Sequence, residues 1–456
     1  MADLGLVDLM LAKARKAQVD FEKFNQEEVD AVVKAIAKVV FDSAKELARM
    51  AVDETRMGNY EDKLKKKAGK ARILWHSLKD KKSVGIIGYD EAKGLALVAK
   101  PMGIVGAVTP CTNPVVTPMC NAMFALKGRN AIIIAPHPRA KKCGKYVVDL
   151  FNTALEKLGA PAGLIQIIDE PSIELTNELM RKVDVVVATG GMAMVKSAYS
   201  SGKPAFGVGV GNVQVIIDED ADIKDAIPKI VTGRAFDNGI ICSAEQTVMV
   251  PQAKYEQVLA EFEKNFCHVI RDDGQRDKIR EILFAGGVAN KDVIGQSAAT
   301  IAKLAGIDIP ENTMVIVVTA SGVGSADLLC KEKMCPVLSI LTYKSFKEAV
   351  AIAQANLNYE GNGHSVTIHS NNKENIEYAA CNLSVSRILI NQICATSNGG
   401  SFFNGLAATT TLGCGSWGNN SISENLDYKH LINISRIAYF KKDSKVPSDS
   451  ELWGDI

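Results

Sequence analysis

Between Asn130 and Asn212 the chain repeats one order: a short, wholly apolar run, a turn marked by glycine or proline, then an amphipathic stretch. The runs are "NAIIIAPHP", "LIQIID", "VDVVVATGG" and "PAFGVGVGN". Between them "KKCGKYVVDLFNTALEKLG", "IELTNELMRK" and "AMVKSAYSS" space their apolar residues at three and four, as helices do. A strand with one wet face alternates in polarity, whereas a strand apolar throughout is covered on both faces. Strands joined by helical crossovers run parallel. This stretch therefore reads as a parallel α/β sheet. Ligands of such sheets lie beyond the carboxyl ends of strands, which points to the loops at Pro136-His137-Pro138 and Thr189-Gly190-Gly191.

The order restarts near residue 213 with "VQVIID", "QTVMVP", "TMVIVVTA", "VLSILTY", "SVTIHS" and "SRILIN", a second α/β unit with its own core. Residues 7 to about 80 read as helices, and "GLALVAKPMGIVGAVTPCTNP" as strands broken by Pro101 and Gly103. A chain of 456 residues suits two or three such units. The expected divisions are 1–212, 213–395 and 396–456, the last returning to the first unit, with 90–100 as a hairpin for subunit pairing. The tail "KHLINISRIAYFKKD" alternates in polarity. It reads either as a strand added to another subunit or as a local edge strand.

Charge excludes some partners. The chain has 53 basic and 52 acidic residues, a net charge of +1, so nothing draws it onto nucleic acid or an anionic membrane. The basic run "KLKKKAGK", Lys63 to Lys70, reads as a solvated helix face. Ten cysteines include no CxxC pair, and Cys330 and Cys335 lack the further ligands of a zinc site, so no metal is expected. The N-terminus has Asp3 and Asp8 in place of a signal pattern, and no apolar run reaches the ~18 residues of a membrane span. The expectation is a reduced, cytoplasmic protein.

Two features could carry chemistry. The glycines ending "VVATGG" and "GVGVGN" let backbone approach a phosphate or flat ring closely, although neither run is a GxGxxG fingerprint. Cys242, in "FDNGIICSAEQ", follows the turn Asp237-Asn238-Gly239. A cysteine beside two isoleucines packs as a small hydrophobe; a turn can also present it as a nucleophile. Composition leaves both readings open.

Six segments together carry a resemblance: "FDNGIICSAEQ", "TPCTNPVVTP", "ATGGMAMVKSAYSSGKPAFGVGVGN", "CKEKMCP", "GNGHS" and "TTTLGCGSWGNNSISENL". In this order they resemble the CoA-acylating aldehyde dehydrogenases of the aldehyde dehydrogenase superfamily, from about Phe24 to the C-terminus. The chain looks most like the branch acting on succinate semialdehyde, and is also similar to the acetaldehyde and propionaldehyde branches. It ends at Ile456, so no alcohol dehydrogenase half is expected to follow. The resemblance implies a Rossmann-like cofactor domain in 1–212, a catalytic domain in 213–395, small oligomerisation strands, and a homodimer or homotetramer.

The resemblance also implies residue roles. Cys242 matches the nucleophile, and Asn113 the side-chain donor of the oxyanion hole. Glu332 matches the carboxylate that holds the nicotinamide ribose. Thr189, Gly190 and Gly191 match the pyrophosphate loop; His137 and Pro110 match strand ends at the cofactor. Arg139 lies where it could meet a 2′-phosphate, which leaves NAD and NADP both open. His364 is a candidate to take the proton of CoA, with a hydrogen-bonded loop histidine as the alternative. Ile241, Ser243, Phe402 and Phe403 are expected at the substrate pocket. Hydrolytic relatives carry a glutamate at the glycine turn before "VQVII", where Val208 or Gly209 stands here; no carboxylate occurs from Pro204 to Ile217. Without that base the acyl group is expected to leave on CoA and not on water. Glu245 is the alternative base, a structural role being favoured for it.

Overall fold

The structure, a computed structural model, describes residues 5–454. Four helices come first: α1 (Gly5–Phe21), α2 (Gln26–Asp42), α3 (Ala44–Thr55) and α4 (Tyr60–Leu78). Their starts are written in the sequence. Asn25 opens α2 with a reciprocal capping box to Glu28, and the Asn59 side chain accepts the Asp62 N–H at α4.

Among the described residues fifteen strands follow. β1 (Gly85–Asp90) and β2 (Leu95–Pro101) form an antiparallel hairpin. β3 (Ile104–Thr109), β4 (Ala131–Pro136), β5 (Ile165–Ile167), β6 (Val185–Thr189) and β7 (Ala205–Val208) make a parallel sheet in the order β5-β4-β3-β6-β7. Every residue of β3 and β4 is buried, and all but Thr109 are apolar, as strands covered on both faces require. The chain winds outward from β3 to β5, then returns to place β6 on the other side of β3. The switch point between β3 and β6 is where such sheets open a crevice.

The second sheet has seven parallel strands: β8 (Val213–Ile217), β9 (Glu245–Pro251), β10 (Cys267–Ile270), β11 (Val315–Thr319), β12 (Val337–Tyr343), β13 (Gly363–His369) and β14 (Val385–Ile390). Their order is β10-β11-β12-β9-β8-β13-β14. A separate apolar core covers each face of this sheet. The first sheet shares one core with α1–α4, to which Ala408, Leu426 and Leu431 also belong. The segment after β14 thus packs back onto the first unit.

β15 (Ile432–Ala438) pairs antiparallel with β2, from Ile432 opposite Pro101 to Ala438 opposite Leu95. Of the two readings of the tail, it forms an edge strand on its own chain's hairpin. No helix among the described residues is long and apolar enough to cross a membrane.

Candidate active site

Two cavities meet at Cys242. One, of about 370 Å³, lies at the carboxyl ends of β3, β4, β6 and β7. Its walls include Pro110, His137, Thr189, Gly190, Gly191 and Glu332. The other, of about 380 Å³, is bordered by Ile241, Ser243, Phe402 and Phe403. Three residues border both: Asn113, Cys242 and Thr410. The sulfur therefore stands at a junction, which is where a nucleophile must be to face a substrate on one side and a redox cofactor on the other.

Local structure explains the presentation of Cys242. A short 3₁₀ turn, Phe236–Gly239, enters its loop, with Asp237 (φ 52°) and Asn238 (φ 53°) both in the left-handed region. Such backbone persists only where contacts hold it. The buried Asp237 carboxylate pairs with Lys66 and, at 3.2 Å, with Lys63, both on α4. It also accepts the Asn59 N–H, while the Asp237 N–H donates to Asp62. Behind the loop, Gly211 packs so closely that a Cβ there would collide with the Cys242 carbonyl. The basic stretch from Lys63 to Lys70 is thus no solvated face. Positions 63, 66, 67 and 70 share one side of α4, Lys63 and Lys67 are fully buried, and Lys66 and Lys70 border the second cavity. Their helical spacing was the signal that could have found them.

Burial pushes the Cys242 thiol up to about 12, with the Glu332 charge adding to it; the Arg387 guanidinium pulls it down. Arg387 is buried and donates to the carbonyl of His364 and the hydroxyl of Ser365. Asn113 has a buried side-chain oxygen with no partner, and so has Thr410, a residue that the sequence reading did not single out. Both residues border the two cavities, where a bound ligand can supply the missing partner.

Glu332 precedes β12 and is the one carboxylate among the described residues that borders either cavity. Its Oε1 accepts only a long 3.3 Å bond from the Gly211 N–H, and burial, then the Glu360 charge, raises it to about 8. An open glycine turn at the ends of parallel strands, with a carboxylate facing it, fits a nucleotide cofactor with ribose hydroxyls to bind. His137 borders this cavity, and its Nδ1 accepts the Arg139 N–H. Phe402 and Phe403 are 58% and 94% exposed, so they form a rim and do not pack a core. Ser243 donates to the Ala395 carbonyl at 3.1 Å.

Two of the expected site residues lie off the cavities, and a third residue, Glu245, stays off them too. Arg139 does not border the cleft, because its guanidinium is tied to the Thr55 carbonyl at 3.0 Å. His364 is not on a loop: it lies fully buried on β13, off both cavity walls, with neither ring nitrogen partnered. Burial holds it down to about 3, so its imidazole is neutral. Glu245 takes the structural role favoured for it. It is buried, accepts the Cys394 N–H at 2.7 Å, and borders neither cavity.

The chain matches the aldehyde dehydrogenase family over residues 2–431. It is 55% identical to a succinate-semialdehyde dehydrogenase (acetylating) of Clostridium kluyveri, over 98% of each chain. Its fold is similar to an acetylating aldehyde dehydrogenase of Geobacillus thermoglucosidasius, with a TM-score of 0.94, 38% identity, and 97% of this chain and 98% of that one covered. It is also similar to a propionaldehyde dehydrogenase of Rhodopseudomonas palustris solved with bound CoA and an acylated cysteine, with a TM-score of 0.85, 28% identity, and 95% and 97% covered.

Proposed function

The chain belongs to the aldehyde dehydrogenase family and is a CoA-acylating oxidoreductase using NAD or NADP, and on that premise we propose that it interconverts succinate semialdehyde and succinyl-CoA through a thioester on Cys242. The observation that carries the site assignment is the junction: Cys242, Asn113 and Thr410 border both cavities. The choice of aldehyde is supported by the succinate-semialdehyde relative.

In this reading the Cys242 thiolate adds to the aldehyde carbonyl, a task for which sulfur is suited because it also leaves well from a thioester. The Asn113 amide and the Cys242 N–H steady the oxyanion; a single such donor contributes on the order of 10²–10³ in rate. The nicotinamide cofactor, when bound, supplies the hydride acceptor. Glu332, Thr189, Gly190, Gly191, His137 and Pro110 hold it against the sulfur. Arg387 favours the thiolate form from behind. The thiol of CoA then collects the acyl group. Water competes poorly, because Val208 and Gly209 offer no base, Glu245 is withdrawn, and Glu332 is occupied with the cofactor.

A homodimer or homotetramer, built through the edge of β15, and a cytoplasmic setting complete the proposal. Ten free thiols suit a reducing compartment. The test is product analysis with succinate semialdehyde and oxidised cofactor, with and without CoA. Succinyl-CoA forming with CoA, and little succinate without it, is expected. Succinate formed equally fast in the absence of CoA would place the enzyme among hydrolytic relatives.

A further inference from the structure

The cavity in front of Cys242 carries a charge imbalance that the chemistry at sulfur does not require. Three lysines of α4, Lys65, Lys66 and Lys70, border it, and no Asp or Glu does. Two of the three are answered elsewhere. Lys66 pairs with Asp237, and the exposed Lys65 lies 3.7 Å from Asp62. Lys70 has no carboxylate partner among the described residues; its ammonium donates to the Gly399 carbonyl at 2.8 Å. An ammonium has three N–H donors. Gly399 belongs to the wall formed by residues 395–403, so the charge is fixed at that wall. Beside it the cavity is open: a Cβ at Gly69 would meet nothing within 4 Å. Burial holds Lys70 down to about 8, and the neighbouring Lys66 charge adds to this.

Resting on the reading of the chain as a CoA-acylating aldehyde dehydrogenase, we propose that Lys70 is its specificity-determining cation. It receives the distal carboxylate of a short aldehyde whose carbonyl carbon lies at Cys242. The substrate class is then short aldehydes that end in a carboxylate, and neutral aldehydes of equal length are poorer substrates. The bond to Gly399 serves to aim the ammonium, and Lys66 adds field from one helical turn away while its own bond stays with Asp237.

The test uses the full-length enzyme and its Lys70→Met, Lys70→Gln and Lys70→Arg variants. Steady-state rates are measured with succinate semialdehyde and with butanal, each with CoA and oxidised cofactor at saturation. A hydrogen-bonded charge pair removed from a partly buried site alters discrimination by roughly 10- to 100-fold. In Lys70→Met the ratio of kcat/KM for succinate semialdehyde over butanal is expected to fall by about that factor, chiefly through KM for the charged aldehyde. Lys70→Arg should keep most of the preference. If Lys70→Met does not fold, Lys70→Gln carries the same comparison. An unmoved ratio, an equal loss on both aldehydes, or a rise in KM for CoA in place of that for the aldehyde would overturn the assignment. The parent reading fails separately, when the wild-type enzyme makes no acyl-CoA from either aldehyde.

Discussion

At the scale of single residues the account turns on the state of one thiol. In the free enzyme Cys242 sits near 12, raised by burial and by the Glu332 charge. Its thiolate is therefore scarce at neutral pH. Between pH 7 and 10 that fraction rises about tenfold per unit, as it must for an acid well below its pKa. Alkylation of Cys242 by iodoacetamide, followed by peptide mass so that the exposed Cys381 does not confuse it, should climb across that whole range without a plateau. A plateau below pH 8 would mean that the resting enzyme already holds a thiolate. The physical sense of a protonated resting state is protection, since it is the thiolate that oxidises. Little of this was legible in the sequence. The family resemblance marks Cys242, but Arg387 acts on its loop from β14, and no spacing rule links them.

Among elements, α4 does more than its sequence suggests. A run of lysines on a helix ordinarily faces water, because burying an ammonium is costly. Here the cost is offset by Asp237, which lies far along the chain and which only the fold brings against Lys63 and Lys66. This clamp fixes the left-handed turn before Cys242. Asp237→Asn would leave two buried lysines without a counter-charge, and a loss of about 3–5 kcal/mol in unfolding free energy is expected. Denaturant unfolding measures it; a loss under about 1 kcal/mol would show that the clamp holds nothing. The strands tell the opposite story. β4, β6 and β8 were readable as buried parallel strands because their side chains are nearly all apolar, Thr189 and Gln214 being the exceptions. β10, "CHVI", was missed: it is four residues long, carries a histidine, and lies at the sheet's edge. His364 was misplaced for a related reason. Gly361 and Gly363 suggested a loop, yet Gly363, with φ 84°, opens β13 by packing against Cys414.

For the whole molecule, the three-stranded sheet stands apart from both parallel sheets, and β15 leaves one edge unpaired. Ile437, Tyr439 and Phe440 on and after it are 41%, 58% and 87% exposed. An apolar open edge is a template for pairing with another chain. The enzyme is expected to sediment as a dimer or tetramer, and Tyr439→Ser with Phe440→Ser to shift it toward smaller species. A monomeric wild-type enzyme would remove that role from the edge. The tail's alternating pattern showed the strand but not its partner, because period two is the same whichever chain it joins. The two-unit order, by contrast, was plain, since each unit repeats its own strand–helix rhythm.

The central claim is that both cavities serve one sulfur, which carries the acyl group between them. The most direct test is intact-protein and peptide mass spectrometry of the enzyme after mixing with succinyl-CoA alone. The account predicts a succinyl mass increment on the peptide bearing Cys242, lost again on adding excess CoA and absent from Cys242→Ala. An increment on another side chain, or none while turnover proceeds, would contradict it.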